Sequence, residues 1–545
     1  MGKILRIIPL GGLGEIGKNM MLVETEDIIV LIDSGLMFPT DEMPGVDYVI
    51  PDISYLLERK DKVKAIILTH CHEDHVGGLP YVLREIKTSL IGTRLTLGMV
   101  RARLKEFGLS NDVKFIEIQE RSRIGISNLS FEFFSVNHSV PGNVGVAIHS
   151  PVGTIVHSGD FKFDHTPVDG KLTDFSKLAS LGEKGVRLLL SDSTNAERPG
   201  YTPSERVVGD TLDSIIKDSP GRVFVTTFAS NIHRIQQVFN IAYKYKRFVA
   251  VIGKSMNNTV NVASSLGYLD IPPNTLIKDQ SIFGFKKSSL VILTSGSQGE
   301  PMSALTRLAF HEYKSITIES GDTVVIAATP VPGNEKMVAR TINALFSKGA
   351  DVVYTTTPGV HVSGHASIEE LKLMYSLLRP EYFVPIHGEV KHQVAHSKLI
   401  TSLGLPEDHI FRLKNGDVLE IGEDNVRVVD HIQSGMTMVD GLELGEGGMV
   451  LRDRQRLAQD GIVVMVVTMD KEKEEVVGIP EVVVRGVVYK EEEAFVEELK
   501  GETLRALITS NTPVLSSDII RDIVGKFIYE KTRRRPVIIP VLVEV

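Results

Sequence analysis

A single cysteine, Cys71, is present in the 545 residues. This scarcity excludes an internal disulfide framework and cysteine-rich zinc modules, and it fits a reducing cytoplasm. Apolar runs are short, because none approaches the roughly 18 residues that a membrane-spanning helix needs. The N-terminal segment is too soon interrupted by glycine for a signal peptide, and Arg6 stands where N-myristoylation needs serine or threonine. The net charge of -9 gives no hint of nucleic acid, so any such partner must be argued from local features.

The remaining composition is typical of a soluble globular protein. Hydrophobic residues make up 42% and charged residues 24% of the chain, and the mean hydropathy is +0.06. The length predicts about three to four domains. Sixteen histidines are the feature that points to chemistry.

Apolar, β-branched runs recur through residues 1–390 and predict strands. The early runs lie close together, as in a meander. The runs between 205 and 355 are separated by helix-like stretches such as 235–245, which predicts βα units and a parallel sheet. Residues 431–459 are glycine-rich and charged and predict a linker. Strand-like runs, amphipathic stretches near 491–508 and 516–531, and a last strand from Pro536 then predict a small α+β domain.

Two short motifs are explained by ordinary structure rather than by a functional site. Residues 12–17 match the dinucleotide pattern G-x-G-x-x-G, but alternating strand-like residues follow where that motif needs a helix. A tight glycine loop between strands is the better account. The basic run K-T-R-R-R at 531–535 is interpreted as a solvated surface, with contact to a polyanion as the alternative.

The segment T-H-C-H-E-D-H at 69–75 is the strongest chemical signal in the sequence. It follows the strand-like run A-I-I-L and precedes a helix opening near 76–78. Four potential metal ligands (His70, His72, Asp74 and His75) lie within six residues. Residues two apart project to the same side of an extended backbone, so His70 and His72 can bind one ion while Asp74 and His75 reach another. A surface histidine cluster is the alternative.

Other apolar runs end in a residue of the same chemical type. The ends of these runs carry His138, Asp160, Asp192 and His387. If the strands share one edge of a sheet, their side chains converge on one site. A lone histidine such as His138 is more often a core residue, but several convergent strand ends favour a metal centre.

Five histidines and two aspartates suit Zn²⁺, with Mn²⁺ as the alternative, better than calcium or magnesium. We assign His70, His72 and His138 to one ion, and Asp74, His75 and His387 to the second, with Asp160 as the bridge. Two ions about 3.5–4 Å apart activate a water-derived nucleophile and stabilise both oxygens of a displacement. The predicted chemistry is metal-assisted hydrolysis.

The pattern of these ligand-type residues resembles that of the metallo-β-lactamase fold. The long span between Asp192 and His387, together with S-D-S-T-N and H-V-S-G-H-A, resembles the β-CASP nucleases, in which a second domain is inserted into that fold. The segments G-G-L-G-E-I-G-K-N, F-A-S-N-I-H-R and T-P-V-P-G-N-E are similar to those of the bacterial ribonuclease J family.

The resemblance implies an α/β architecture. It would be an αββα metallo-β-lactamase sandwich with an inserted β-CASP α/β domain and a small C-terminal α+β domain. The expected boundaries are 1–205 and 356–430 for the sandwich, 206–355 for the β-CASP domain, 431–459 for the linker and 460–545 for the C-terminal domain.

The resemblance also implies 5′→3′ exonuclease activity that favours 5′-monophosphate RNA, together with endonuclease activity, in the cytoplasm. His365 would donate a proton to the leaving 3′-oxygen, with Asp192 orienting it; phosphate binding alone is the alternative for His365. The loop residues His361, Val362, Ser363, Gly364 and His365 would bind phosphate.

Further implied sites have weaker support. Ser230, Asn231, His233 and Arg234 would form a second anchor for the RNA backbone or its 5′ end, with helix capping plus surface charge as the alternative. A structural cation, for which Ca²⁺ is the candidate, would lie at Gly45, Asp47 and Asp440, although isolated aspartates are usually only solvated. The implied partners are RNA, a second copy in a homodimer or homotetramer, and proteins of an RNA-decay complex; a membrane is not implied.

Three alternative functions stay open at this point. A β-CASP nuclease acting on DNA would have the same metal site. A small-molecule hydrolase of the same fold is disfavoured by the long insertion. A non-enzymatic RNA-binding paralogue is disfavoured because all seven ligand positions are filled.

Overall fold

The computed structural model describes residues 4–40, 42–298, 303–310, 313, 316–331, 334–441, 443–445, 448–470, 475–487, 492–509 and 516–545. Parts of the T-P-V-P-G-N-E segment and of the predicted linker, and the first residue of the helix predicted at 491, lie outside these residues. The described chain divides into two compact units, residues 1–38 with 49–436 and residues 39–48 with 437–545. Within the described residues, no helix is long and apolar enough to cross a membrane.

The N-terminal segment alternates short strands with short helices. Its elements are β1 (Leu5–Gly11), β2 (Leu13–Gly14), β3 (Met20–Glu24), β4 (Ile29–Ile32), β5 (Tyr48–Pro51), α1 (Ser54–Leu57), β6 (Val63–Ile67), α2 (Glu73–Val76), α3 (Leu79–Glu85), β7 (Ser89–Thr93), α4 (Arg94–Glu106), β8 (Phe115–Ile118), β9 (Arg123–Ile126), β10 (Leu129–Ser135), β11 (Val144–Ser150), β12 (Gly153–His157), α5 (Phe175–Lys184) and β13 (Leu188–Asp192). The glycine segment at 12–17 lies between strands, as predicted, with no helix following it.

The middle segment has the βα alternation that the sequence predicts. Its elements are α6 (Arg206–Asp218), β14 (Val223–Thr226), α7 (Ile232–Lys244), β15 (Phe248–Ile252), α8 (Lys254–Ser265), β16 (Leu276–Ile277), β17 (Leu290–Thr294), α9 (Ala304–Ala309), β18 (Thr323–Ile326), α10 (Glu335–Ser347) and β19 (Asp351–Val353). All six strands pair in parallel, in the order β16-β15-β17-β14-β18-β19. The helix α7 buries Ile235, Val238, Phe239 and Ala242, the spacing of a helix face that packs on a sheet.

The chain then returns to the first domain through α11 (Ile368–Leu378), β20 (Tyr382–Ile386), β21 (Gly388–Glu389), α12 (Val390–Ser402), β22 (Asp417–Ile421) and β23 (Val426–His431). Two sheets result, in the orders β23-β22-β1-β3-β4-β6-β7-β8 and β20-β13-β12-β11-β10-β9. A core that includes Ile7, Val30, Phe131 and Leu190 lies between the sheets. Fully burying each such side chain contributes roughly 1.5–3 kcal/mol. Helices cover both outer faces, which confirms the predicted αββα sandwich with an inserted α/β domain.

The C-terminal segment contains β24 (Met436–Asp440), β25 (Glu443–Gly445), α13 (Gly448–Asp460), β26 (Ile462–Asp470), β27 (Glu475–Val476), β28 (Glu481–Arg485), α14 (Glu492–Thr509), α15 (Ser517–Thr532) and β29 (Val537–Glu544). Strands and a helix form within the interval 431–459, which the sequence assigns to a linker. Alternate residues of β26 (Val463, Met465 and Val467) are buried against α14 and α15, as expected for a strand with one face in the core. The predicted α+β domain is confirmed.

Candidate active site

The ligand-type residues converge because their strands run in one direction. In the second sheet β12, β13 and β20 are parallel neighbours, and β10 runs the same way because two antiparallel pairings separate it from β12. His138, Asp160, Asp192 and His387 follow or end these strands, so they meet at one sheet edge. The segment 69–75 reaches the same place after β6 of the first sheet. The predicted shared edge is present.

Three histidines of the first predicted group face one another. His72 Nδ1 lies 3.0 Å from His70 Nε2 and 3.1 Å from His138 Nε2. Burial lowers the pKa of His70 and of His138 well below the usual range, and it lowers the pKa of His72 to about 4. Neutral imidazoles with converging lone pairs are the form that binds a metal ion.

The second predicted group surrounds the carboxylates of Asp74 and Asp160. His387 Nε2 lies 3.3 Å from Asp74 Oδ2 and 3.4 Å from Asp160 Oδ2, and His75 Nε2 lies 3.1 Å from Asp160 Oδ2. Burial opposes charge on both histidines, but the neighbouring carboxylates, Asp160 first, raise the pKa of His75 and of His387 well above the usual range. Without a metal ion, these carboxylates favour protons on the imidazoles. A bound divalent cation would neutralise the same negative charges.

Asp160 lies between the two groups. Its Oδ2 is also 3.8 Å from His70 Nε2 and 3.9 Å from His138 Nε2. Burial raises the pKa of a carboxyl group, but the imidazolium groups of His387 and His75 hold the pKa of Asp160 well below its usual range. An ionised carboxylate in this position matches the bridging role predicted for it.

Each of the five histidines has its other ring nitrogen against a protein oxygen. The pairs are His70 Nδ1 with Thr69 Oγ1 (3.0 Å), His72 Nε2 with Ser139 Oγ (3.1 Å), His75 Nδ1 with Asp33 Oδ2 (2.7 Å), His138 Nδ1 with the Gly364 carbonyl (2.8 Å) and His387 Nδ1 with Thr194 Oγ1 (3.0 Å). Such contacts fix the ring orientation and tautomer of metal-binding histidines. The donor set and its supports therefore fit divalent metal ions.

Several supporting residues were not predicted from the sequence. Asp33 contacts His75 and accepts hydrogen bonds from the backbone and hydroxyl of Thr69. It follows directly after β4, so it has the same position at a strand end as the residues predicted to be ligands. Asn19 lies 3.1 Å from His75 Nε2 through its side-chain amide; the glycine segment 12–17 precedes it and pairs with β21 beside His387.

Two residues at the site have left-handed backbone conformations that are unusual outside glycine. Asp33 has φ 63° and His387 has φ 50°. Such conformations cost of order 1–3 kcal/mol and persist only where surrounding contacts enforce them. Here the hydrogen bonds to Thr69, Thr194 and His75 hold the two residues in place.

The loop 361–365 of the return segment lies against the ligands. His365 Nδ1 is 2.8 Å from Asp192 Oδ2. Burial lowers the pKa of His365, but the carboxylates of Asp192 and Asp160 outweigh it and raise the pKa above its ordinary value. Burial alone would raise the pKa of Asp192. The charge of His365 more than offsets this effect, so the pKa of Asp192 is lowered. The two shifts favour a protonated imidazole paired with an ionised carboxylate.

The remaining loop residues have distinct surroundings. Val362 is buried in the core of the inserted domain and anchors the loop. Ser363 Oγ accepts hydrogen bonds from the Asn195 side chain (2.8 Å) and from the backbone of His365 (3.2 Å). His361 lies farther back, against Arg234.

Gly364 has no room for a side chain. A Cβ atom there would lie 2.6 Å from His138 Cε1 and 2.7 Å from its Nδ1. We expect Gly364→Ala to displace the loop or His138 and to weaken metal binding about 10–100-fold, as other losses of ligand support do. Metal titration of the purified protein checks this. Gly125→Ala, where a Cβ atom meets nothing within 4 Å, is the matched control; equal affinities for both variants would contradict the prediction.

The second predicted anchor is only partly available to a substrate. The Arg234 side chain is fully buried and paired with Glu205, so the structure contradicts direct contact of Arg234 with RNA. Asn231 caps α7 by accepting a hydrogen bond from the Arg234 backbone, which is the capping alternative. Ser230 is half-buried, and His233 lines a cavity of about 630 Å³ that also reaches His138.

The predicted structural-cation site contains an arginine. The Arg454 guanidinium donates a hydrogen bond to the Gly45 carbonyl (2.8 Å) and forms an ion pair with Asp440. Asp47 accepts a hydrogen bond from the backbone of Gly441 (2.8 Å). The side-chain charge of Arg454 thus stands where the prediction placed a bound cation, so these residues do not fit Ca²⁺ in this conformation.

Comparisons with known proteins agree with this architecture. Residues 13–226 match the metallo-beta-lactamase superfamily, 220–345 the ribonuclease J beta-CASP domain, 350–411 the Zn-dependent metallo-hydrolase RNA specificity domain and 449–545 the ribonuclease J C-terminal domain. A crystal structure of a protein of unknown function from Enterococcus faecalis, 17% identical, has a TM-score of 0.53 over 76% of this chain and 99% of that chain. This likeness supports the fold alone.

Relatives with higher identity span the whole chain. Ribonuclease J2 of Bacillus subtilis is 44% identical over 99% of both chains. Ribonuclease J 1 of Streptococcus pyogenes is 40% identical over 98% of this chain and 97% of its own. Ribonuclease J 2 of Staphylococcus aureus is 40% identical over 100% of this chain and 99% of its own. At this identity and coverage, the chain belongs to the ribonuclease J family.

Proposed function

We propose that the chain is a metal-dependent ribonuclease acting on cytoplasmic RNA in its maturation and decay. It removes nucleotides in the 5′→3′ direction, prefers a 5′-monophosphate end, and also cleaves internally. One observation carries the proposal: Asp160 Oδ2 lies within 3.9 Å of histidines of both ligand groups, and His365 beside them is paired with Asp192. Metal ligands, a proton-bearing group and a donor-rich loop thus lie together, as phosphodiester hydrolysis requires.

The metal ions would be two Zn²⁺, with Mn²⁺ as the alternative, because imidazole and carboxylate donors suit these borderline ions. His70, His72 and His138 would hold one ion, Asp74, His75 and His387 the other, and Asp160 would bridge them. When bound, the ions supply an activated water nucleophile and stabilise charge on the phosphodiester oxygens.

His365 would supply the proton to the leaving 3′-oxygen. Its Nδ1 is engaged by Asp192, so the proton on Nε2 is the one available for transfer. The Asp192 carboxylate accepts two further hydrogen bonds from Thr194, through its backbone and its hydroxyl, at 2.9 and 2.8 Å. These fix the orientation of the pair. Asp192 would keep the imidazolium charged until the transition state, where general acids contribute typically 10²–10⁴-fold.

The loop would bind phosphate through neutral donors. At Ser363 and Gly364 the side chains are small or absent, so a phosphate oxygen can approach the backbone closely. His361 adds a ring N–H. Ser230 and His233 remain proposed contacts to the RNA backbone, whereas Arg234 is excluded by its burial.

A polymer substrate is supported by the space beside the site. The 630 Å³ cavity at His138 is lined by the sandwich residues Arg94 and Lys171 and by His233 and Tyr268 of the inserted domain. A small-molecule hydrolase needs no second domain here. A nuclease acting chiefly on DNA would have the same ligands, so competition between RNA and DNA of one sequence separates the two.

The 5′ end of the substrate tests the proposal. One RNA sequence is prepared with a 5′-monophosphate, a 5′-triphosphate or a 5′-hydroxyl, and product sizes are followed with time, with and without a chelator. We expect mononucleotides to appear fastest from the monophosphate form, and the chelator to abolish all cleavage because the ligands would lose their ions. Absence of RNA cleavage with every metal tried would contradict the proposal.

A homodimer or homotetramer is proposed from the C-terminal unit. The face of its sheet opposite the helices carries exposed Val483 (50%), Ile539 (43%), Val541 (37%) and Val543 (40%), and an apolar patch of this kind commonly covers a subunit interface. We expect Val541→Asp to lower the molar mass measured by light scattering, because burying a carboxylate there is costly. Asp518→Asn on the exposed start of α15 is the control. An unchanged mass for Val541→Asp would contradict the proposal.

The domain boundaries given above and association with proteins of an RNA-decay complex stay proposals.

A further inference from the structure

The Glu205–Arg234 pair is a buried ion pair beside the loop 361–365. Arg234 Nε and Nη2 donate to the two oxygens of Glu205 at 2.7 and 2.9 Å. The arginine side chain is 0% and the glutamate side chain 5% exposed. A bidentate pair satisfies both charges, whereas removing one partner leaves the other buried and uncompensated. The pair is therefore a rigid element of the fold.

The pair joins segments that enter and leave the inserted domain. Glu205 precedes α6, where the chain passes from the sandwich into that domain, and Arg234 lies on α7. The third guanidinium nitrogen, Nη1, donates to the carbonyl of Ala327 after β18 and lies 3.4 Å from His361 Nδ1 on the returning segment. One arginine thus holds both crossings between the domains in a fixed relation.

The same contact places a charged donor beside His361, because Arg234 Nη1 lies 3.4 Å from His361 Nδ1 and a guanidinium has donors only. Burial, then the charges of Arg234 and Arg198, lower the pKa of His361 to about 3, against the opposing effect of a hydrogen bond with the Ala327 carbonyl. His361 is therefore a neutral ring held between Arg234 and the segment after β18.

We propose that Arg234 is a positioning residue for substrate phosphate: held by Glu205, it fixes the loop 361–365 through its contacts with His361 and with the carbonyl of Ala327. The arginine acts through the loop and touches no substrate. This inference rests on the proposed function, in which that loop binds phosphate of the RNA.

Arg234→Lys tests the inference, because lysine keeps the charge but loses the planar fork that binds Glu205 and His361 together. The matched control is Arg222→Lys. Arg222 forms an equally buried pair with Asp322 in the same domain, at 2.8 and 2.5 Å, and makes its other hydrogen bond to the Thr317 carbonyl, away from the loop. Both variants are compared with the wild-type full-length protein.

Two measurements are made. For 5′-monophosphate RNA, we expect Arg234→Lys to raise KM about tenfold with little change in kcat, the size of effect that loss of a hydrogen bond involving a charged group produces. Arg222→Lys should change neither KM nor kcat. In the protein without RNA, amide hydrogen exchange at 361–366 should be faster in Arg234→Lys than in wild type or Arg222→Lys.

The outcomes separate the two proposals. If the wild-type protein does not cleave RNA, the proposed function fails, and hydrogen exchange alone decides whether Arg234 positions the loop. If the wild-type protein cleaves RNA but Arg234→Lys leaves KM unchanged, or if both lysine variants alter exchange at 361–366 equally, the positioning role of Arg234 is overturned.

Discussion

Asp160→Asn is expected to lower RNA cleavage by about 10⁴-fold or more, the scale seen when an essential member of a catalytic group is removed. Asp160 Oδ2 lies within 3.1 and 3.4 Å of His75 and His387 and between the two ligand groups. Asparagine removes the negative charge that both ions would share, and its amide can donate to imidazole nitrogens that should bind metal. Metal content per chain and single-turnover cleavage of 5′-monophosphate RNA are the measurements.

The control for this substitution is Asp213→Asn. Asp213 pairs with Lys244 (2.7 Å) and Tyr245 (2.8 Å) at the edge of the inserted domain, so its loss should leave metal content and cleavage unchanged. A folded Asp160→Asn protein that keeps both metal ions and most of its activity would show that Asp160 is not a bridging ligand.

His365→Ala is expected to reduce kcat by roughly 10²–10⁴-fold, the usual contribution of a general acid, while metal content is retained. The reason is its 2.8 Å contact with Asp192, which favours a protonated imidazole next to the ligands. An RNA whose scissile 3′-oxygen is replaced by sulfur tests the role directly. Because a thiolate leaves without protonation, the variant should cleave this substrate nearly as fast as the wild-type protein.

The alternative for His365 predicts a different result. If His365 only binds phosphate, His365→Ala will raise KM, leave kcat unchanged, and gain nothing from the sulfur substrate. His431→Ala is the control, because His431 pairs with Asp417 near the end of β23 (2.8 Å) and lies outside the ligand groups. Its kinetics should match those of the wild-type protein.

Much of the metal site could be predicted because its residues follow local patterns. His70, His138, Asp160 and His387 each come after an apolar run, and strands of one direction bring such residues to a common edge. The same pattern marks Asp33 after β4. The parallel inserted sheet and the α+β C-terminal domain followed from strand spacing, whereas the αββα sandwich followed from the resemblance to the metallo-β-lactamase fold.

The surroundings of charged side chains could not be predicted. Arg234 follows a serine and an asparagine at a helix start, where a surface phosphate contact was the natural interpretation, yet its guanidinium is buried against Glu205. Gly45, Asp47 and Asp440 suggested a cation site, but the guanidinium of Arg454 contacts two of them. In both cases the neutralising partner is a side chain whose position depends on packing.

The amino-acid sequence by itself indicated the family through its motifs and the seven residues proposed as ligands through their places after apolar runs, because motifs and strand ends are properties of neighbouring residues. Only the tertiary structure decided which charges face a substrate and which are satisfied internally. Arg454 and Gly45 are 409 residues apart, and Arg234 meets His361 across 127 residues. Burying a charge is favourable only with a partner in place, and no local pattern records where the fold places that partner.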